Sequence, residues 1–343
     1  MMKRAHGVLA AVFLALAACA STPSDQQTVP AGFVPIDADD QVAAMGRGVN
    51  IIGYDPIWTG RGEPRFEMRH FEIIKDGGFQ TVRVNLHAFE HMDSQNRLDA
   101  DWLATLDRVV AGALAQGLTV ILDEHDFNAC AEDVVACRPK LLAFWSQIAE
   151  RYRDAPNTVV FELLNEPNRA LDPLWNDLHP ELLAVVRQSN PTRNVIIGPI
   201  FWNNVNYLDQ LVLPEDDRHL IVTVHYYLPF AFTHQGAPWT PENPETGIAW
   251  GSPADRAALA ADFDKVEAWS QRHDRPILLG EFGVYDKAEL QYRVAWTDAV
   301  SRAAEARGWA WTYWQFDSDF VVYDVDGDRW NTPIYQALIP EAR

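Results

Sequence analysis

Eight short apolar runs alternate with amphipathic stretches from about residue 45 to the end of the chain. The runs are rich in β-branched and aromatic residues, and polar residues collect where they end. These observations predict an α/β fold, a closed (β/α)8 TIM barrel with its functional face at the C-terminal ends of the strands. The chain has 343 residues, 48% of them hydrophobic, enough for such a core in one domain. A doubly wound open sheet is the alternative, but no G-x-G-x-x-G follows any strand candidate. Internal repeats and a second domain are not evident.

The chain begins with an address. Residues 1–7 are basic (Lys3, Arg4), and Val8–Ala18 is an apolar run too short to span a bilayer. Leu16-Ala17-Ala18-Cys19 resembles the bacterial lipobox, in which cleavage leaves Cys19 as a lipidated first residue. An ordinary signal peptide with a chance cysteine is the other reading. Ala20 after Cys19, rather than aspartate, favours the outer membrane by analogy with other lipoproteins. The expected organisation is a lipoprotein signal peptide over 1–18, a flexible tether over 19–40 and the barrel over 41–343. Ser, Thr, Pro and Gln dominate the tether and bury little surface.

The strand candidates then follow in order: Gly48–Gly53, Thr81–Leu86, Leu118–Leu122, Val159–Leu164, Val195–Ile200, Leu220–Val224, Ile277–Leu279 and Trp309–Trp314. Among the helical patterns, Ala100–Gln116 places Trp102, Leu106, Val109 and Ala113 on one face, and Gly117 stops it. Lys140–Arg153, Leu178–Gln188, Ala254–Arg272 and Ala288–Arg307 behave similarly. Cys130 and Cys137 lie seven apart in a polar segment. In an exported protein a local disulfide is favoured over zinc, for which a second ligand pair is missing.

Charge narrows the partners. The formal net charge is −20, and loss of Lys3 and Arg4 would make it −22. Such a surface repels phosphate backbones and anionic headgroups, which argues against nucleic acid and leaves the lipid anchor as the only membrane contact. A neutral ligand fits better, and thirteen Trp offer flat apolar faces suited to sugar rings, although many must be core. No cofactor is called for, and a monomer is expected.

Two segments carry the chemistry. Phe161–Pro167 runs an apolar strand into Asn165-Glu166 and is stopped by proline. Ile277–Gly283 ends an apolar strand in Glu281, flanked by glycines. One glutamate at a strand end is ordinary rim; two on the fourth and seventh strands suit glycoside hydrolysis. One carboxyl must protonate the leaving oxygen, and an ionised one must meet the anomeric carbon. Arg83, within a strand, needs a carboxylate partner and, pointing inward, would hold Glu281 ionised.

The ordered set Arg83, His125, Asn165-Glu166-Pro167, His225-Tyr226-Tyr227, Gly280-Glu281-Phe282-Gly283 and Trp314 resembles glycoside hydrolase family five, the cellulase family. The resemblance covers nearly all the chain after residue 45. It implies that Glu166 is general acid and base and Glu281 the nucleophile. Asn165 would hold the sugar 2-hydroxyl, while Arg83 and Tyr227 orient Glu281. His125 and His225 would contact the sugar or tune Glu166, with Trp314 as the floor of the subsite. A polysaccharide or oligosaccharide is the implied substrate.

Other readings remain at this stage. Trp58, Trp202, Trp239, Trp250 and Trp330 are candidates for stacking on further rings. A metal-dependent barrel could draw on Asp123, His125, Asp126 and His225, but lacks H-x-H or H-E-x-x-H spacing. Asp324–Asp328 fails as an EF-hand and reads as a surface turn. A non-catalytic glycan-binding lipoprotein would be expected to have lost one glutamate. Among substrates, β-1,4-glucan cut internally is expected, with support from the run His225–Trp239. β-Mannan and β-1,3-glucan are the alternatives on the same residues.

Overall fold

In the computed structural model, which describes residues 32–60, 62–240 and 245–340, the eight runs close on themselves. The strands are β1 (Arg47–Ile51), β2 (Thr81–Leu86), β3 (Thr119–Glu124), β4 (Val159–Glu162), β5 (Val195–Ile197), β6 (Leu220–Tyr226), β7 (Ile277–Phe282) and β8 (Ala310–Tyr313). Every neighbour pair is parallel, and β1 closes on β8. The expected (β/α)8 barrel is the observed fold. Each expected strand overlaps an observed one, shifted by a few residues at its ends.

All eight strands are almost wholly buried, because helices cover the outside while side chains fill the inside. Near the N-terminal end the interior is apolar: Ile121, Val160, Ile196, Ile221, Leu278 and Ala310 form one cluster with Ala38, Val42 and Met45. Those last three belong to helix Ala38–Met45, capped by Asp37, which plugs the barrel floor. Folded structure therefore begins before the expected boundary at 41, and residues 19–31 of the expected tether lie outside the described residues. This helix is so short that Ala38, Val42 and Met45 give little periodic signal.

The five expected helices are present as Ala100–Ala115, Val134–Arg151, Trp175–Ser189, Pro253–His273 and Leu290–Glu305. Helices Arg69–Asp76 and Thr332–Leu338 were not anticipated. Cys130 and Cys137 are joined in a disulfide that ties helix Phe127–Glu132 to the start of Val134–Arg151. Asp324 and Arg329 pair across a two-stranded hairpin, whose acidic side chains engage Arg65, Arg69 and Arg329. Among the described residues, no helix is long and apolar enough to cross a membrane. Residues 1–18 and Cys19 lie outside the described residues.

Candidate active site

Above its apolar floor the barrel interior turns polar. Period-two alternation sends Thr81, Arg83 and Asn85 of β2 to one face, and Asn85 is in register with Asp123 of β3. Arg83 is fully buried at the centre. Its Nε and Nη2 donate to the two oxygens of Glu162, at 2.7 and 2.9 Å. Nη1 donates to Glu281 Oε1 (2.9 Å) and Asn50 Oδ1 (2.8 Å), and Nη2 to Asn165 Oδ1 (2.8 Å). Asp123 approaches Nη2 at 3.1 Å. One guanidinium thus holds three carboxylates. The sequence-based expectation gave Arg83 to Glu281 alone; its two-pronged partner is Glu162, with Glu281 as the third contact.

Glu281 reaches the interior through an irregularity. Pairing of β6 with β7 runs Val224↔Leu279 and then His225↔Glu281, so β7 carries one extra residue at Gly280. Strict alternation from the inward Leu278 would send Glu281 outward, and the bulge re-aims it. Only glycine fits at 280, since a Cβ there would lie 2.4 Å from Thr223 Oγ1. Glu281 Oε2 accepts from the Tyr227 hydroxyl at 2.9 Å. Behind Tyr227, Thr233 Oγ1 donates to its carbonyl at 2.6 Å, and His234 packs edge-on against its ring. Part of the run Phe230–Trp239 is therefore scaffold for Tyr227.

Glu166 follows β4 in a left-handed conformation, φ 45°. Its Oε1 lies 2.7 Å from His225 Nδ1, and its Oε2 has no protein partner among the described residues. Glu166, His225 and Glu281 bring one ligand atom each within 4.8 Å of one another, so the two carboxyl groups lie close together. That trio is spaced to hold a cation, but both Glu281 oxygens are already engaged by Arg83 and Tyr227, and one Glu166 oxygen by His225. Asp123, drawn on above for a metal-dependent barrel, is instead bonded to Arg83, Asn85 and His125.

Burial raises both catalytic-candidate carboxyls above the ordinary carboxylate range. Glu166 is raised well above it, by burial first and then by the charge of Glu281. For Glu281 burial is opposed by Arg83 and by the Tyr227 hydrogen bond, so it stays the more acidic of the two. His125 and His225 are driven well below their ordinary value by burial, which keeps both imidazoles neutral.

His125 Nδ1 lies 2.5 Å from Asp123 Oδ2, and its ring is parallel to that of Trp314 with centroids 5.8 Å apart. Trp314 is half-buried beside the pair. Gly283 lets it approach, since a Cβ there would meet the Trp314 carbonyl at 2.3 Å. All eight residues singled out from the sequence therefore converge. Asn50, Asn85, Glu162 and Asn203 complete the site and were not anticipated in it; Asp123, read from the sequence only as a group for the metal alternative, belongs to it as well. Asn85 could have been found from alternation with Arg83, whereas Asn203 has no sequence signal.

The further tryptophans divide. Trp58 and Trp250 are buried, and Trp330 stacks on Tyr335 and Phe79 and packs edge-on against Phe316. Trp202 and Trp239 remain at least partly exposed on loops after β5 and β6. Phe201, Trp202 and Asn203 are all left-handed (φ 58°, 62° and 53°), a strained run worth about 1–3 kcal/mol per residue. A cavity of about 150 Å³, lined by Asn50, Tyr54, Arg65, Gln315 and Asp317 among others, opens between the loops after β1 and β8.

A closed parallel barrel with paired glutamates at its mouth, one held by arginine and tyrosine, defines a carboxylate-centred barrel of the hydrolase type. Known proteins give the family. The family model described as cellulase (glycosyl hydrolase family 5) matches residues 42–319, and the chain belongs to that family. Endoglucanase H of Acetivibrio thermocellus is 31% identical over 317 residues, covering 88% of this chain and 34% of that protein. The chain thus spans about a third of that relative's length. The structure of Thermotoga maritima Cel5A in complex with cellobiose is 38% identical, with a TM-score of 0.84 over 88% of this chain and 100% of that one. A hyperthermophilic endo-β-1,4-glucanase in complex with substrate is 34% identical, with a TM-score of 0.85 over 89% and 100%.

Proposed function

We propose that the protein is a retaining β-glycosidase that cleaves β-1,4-glucan internally by double displacement, with Glu166 as acid and base and Glu281 as nucleophile. One observation carries this reading: the two carboxyl groups approach within 4.8 Å, close to the separation of about 5 Å that suits direct attack rather than an intervening water. Glu281, its oxygens aimed by Arg83 and Tyr227, attacks the anomeric carbon while Glu166 protonates the departing oxygen. Glu166, now ionised, takes a proton from water, which attacks the same carbon and releases Glu281. Asn165 uses its Oδ1 on Arg83, which leaves its N–H groups for the sugar 2-hydroxyl.

The glucan choice is supported by the endoglucanase names of the relatives and by the cellobiose complex. One solved neighbour carries mannotriose, which keeps β-mannan as the second reading. A screen of soluble polysaccharides decides: carboxymethylcellulose should be cut with a rapid fall in viscosity, and activity confined to mannan would refute the choice. The same proposal extends to location. Lys3, Arg4, the apolar run and Leu16-Ala17-Ala18-Cys19 support export and lipidation at Cys19, and Ala20 after it supports the outer membrane. Labelling with a radioactive fatty acid should be abolished by Cys19→Ala; labelling that survives would refute the anchor.

A further inference from the structure

We propose that Asn203 is a positioning residue for proton transfer: its side-chain N–H, donated to Nε2 of His225, fixes the imidazole as the Nδ1–H tautomer and thereby confines the transferable proton of Glu166 to Oε2. The inference rests on the assignment of Glu166 as acid and base.

Three elements form the chain of contacts. Asn203 Nδ2, on the loop after β5, lies 3.3 Å from His225 Nε2 on β6, and His225 Nδ1 lies 2.7 Å from Glu166 Oε1 after β4. A neutral imidazole has one N–H and one acceptor nitrogen. Burial first, and then the charge of Arg83, keep His225 neutral. An amide N–H on Nε2 takes the acceptor, so the hydrogen sits on Nδ1 and points at Glu166. Oε1 then accepts in both protonation states, and the acid proton is left on Oε2, the oxygen without a protein partner among the described residues.

Asn203 is held for this contact at the expense of its own oxygen. It is fully buried, its backbone is left-handed, and the adjacent Asn204 pairs with His225 as a parallel bridge. Oδ1 is buried without a hydrogen-bond partner among the described residues. Such an orphan is uncommon, and leucine would fill similar space without it. Gly198 makes the room, because a Cβ at that position would stand 2.1 Å from Asn203 Oδ1. The charged and titratable groups around the pair include Tyr54 after β1, Arg83 from β2, Asp123 and His125 from β3, Glu162 from β4, Tyr227 after β6 and Glu281 from β7. Nδ1 lies 3.5 Å from Glu281 Oε2 as well, so a single N–H faces both carboxyl groups.

The test compares two aryl β-cellobiosides, one with a dinitrophenol leaving group that departs without protonation and one with phenol, which needs the acid. Asn203→Leu should lower kcat/KM about tenfold for the phenyl substrate, a part of the usual contribution of a general acid, and less than about twofold for the dinitrophenyl one. Equal loss on both substrates, or no loss on the phenyl one, would overturn the proposal. Nitrogen-15 signals of His225 in the wild-type enzyme should report hydrogen on Nδ1; hydrogen on Nε2 overturns it too, and this measurement stands even if the variant does not fold. Glu166→Ala separates the two levels. It should itself discriminate strongly between the substrates. If it does not, the acid assignment fails; if it does while Asn203→Leu shows no such difference, only the role of Asn203 fails.

Discussion

Glu166 and Glu281 have the same side chain and comparable burial, yet their surroundings divide their protons. Glu281 receives an N–H from Arg83 and an O–H from Tyr227, both of which favour its charged form, whereas Glu166 is raised by burial and by the charge of Glu281 and has no hydrogen bond from Arg83 among the described residues. The activity–pH curve should therefore be a bell, with Glu281 ionising on the acidic limb and Glu166 on the alkaline one. Tyr227→Phe removes a donor to the ionised carboxylate, so the acidic limb of kcat/KM should move to higher pH; an unmoved limb would detach Tyr227 from Glu281. Glu281→Gln should lower turnover by roughly a thousandfold or more while glycan binding persists, since only the bond-forming oxygen is lost. Unchanged turnover would remove Glu281 from the mechanism.

At the scale of the elements, β7 delivers its glutamate only because it is irregular. Gly280→Ala sets a methyl against Thr223 Oγ1 and must push the strand outward, which displaces Glu281. Activity should fall about a hundredfold, as expected for a misplacement near 1 Å, while circular dichroism still reports the barrel. Full activity would mean that β7 can yield without moving the carboxylate. The disulfide acts more locally. Closing a loop of this size accounts for about 2 kcal/mol in the chain-entropy picture. Reduction, or Cys130→Ala with Cys137→Ala, should lower the urea midpoint while the centre around Arg83, on other elements, keeps its kcat.

For the whole molecule, a barrel that buries acids has an acid-side optimum of stability. Burial raises Asp123 to about 6 and Glu162 to about 7, against the opposing pull of Arg83. A carboxyl raised in the folded state contributes stability that is full below its unfolded value, near 4, and is lost as pH climbs through 6 to 7. Asp93 and Asp107, depressed by Arg97 and Arg151, work the other way: their contribution is present above about 4 and lost as pH falls. Self-repulsion from a net charge of −20 adds to the alkaline side. The thermal midpoint should peak in mild acid and fall towards pH 8. A midpoint that climbs steadily to pH 8 would mean that the buried acids do not control stability.

Much of this was legible from local pattern. Strand periods, the stops at Gly117 and Pro167, and the acid-ending segments depend on neighbours in sequence, which fixes where a barrel strand ends and which residues its mouth carries. Helix Ala38–Met45 was missed because its meaning is the floor it plugs, a contact with six strands far away in the chain. The pairing of Arg83 with Glu162, the bulge that turns Glu281 inward, and the reach of Asn203 to His225 were likewise decided only by closure. Each depends on the register between strands and on which side chain finds an unfilled partner in a crowded, water-poor interior. The sequence by itself determined the barrel and its candidate acids; the tertiary structure decided how their protons and charges are shared.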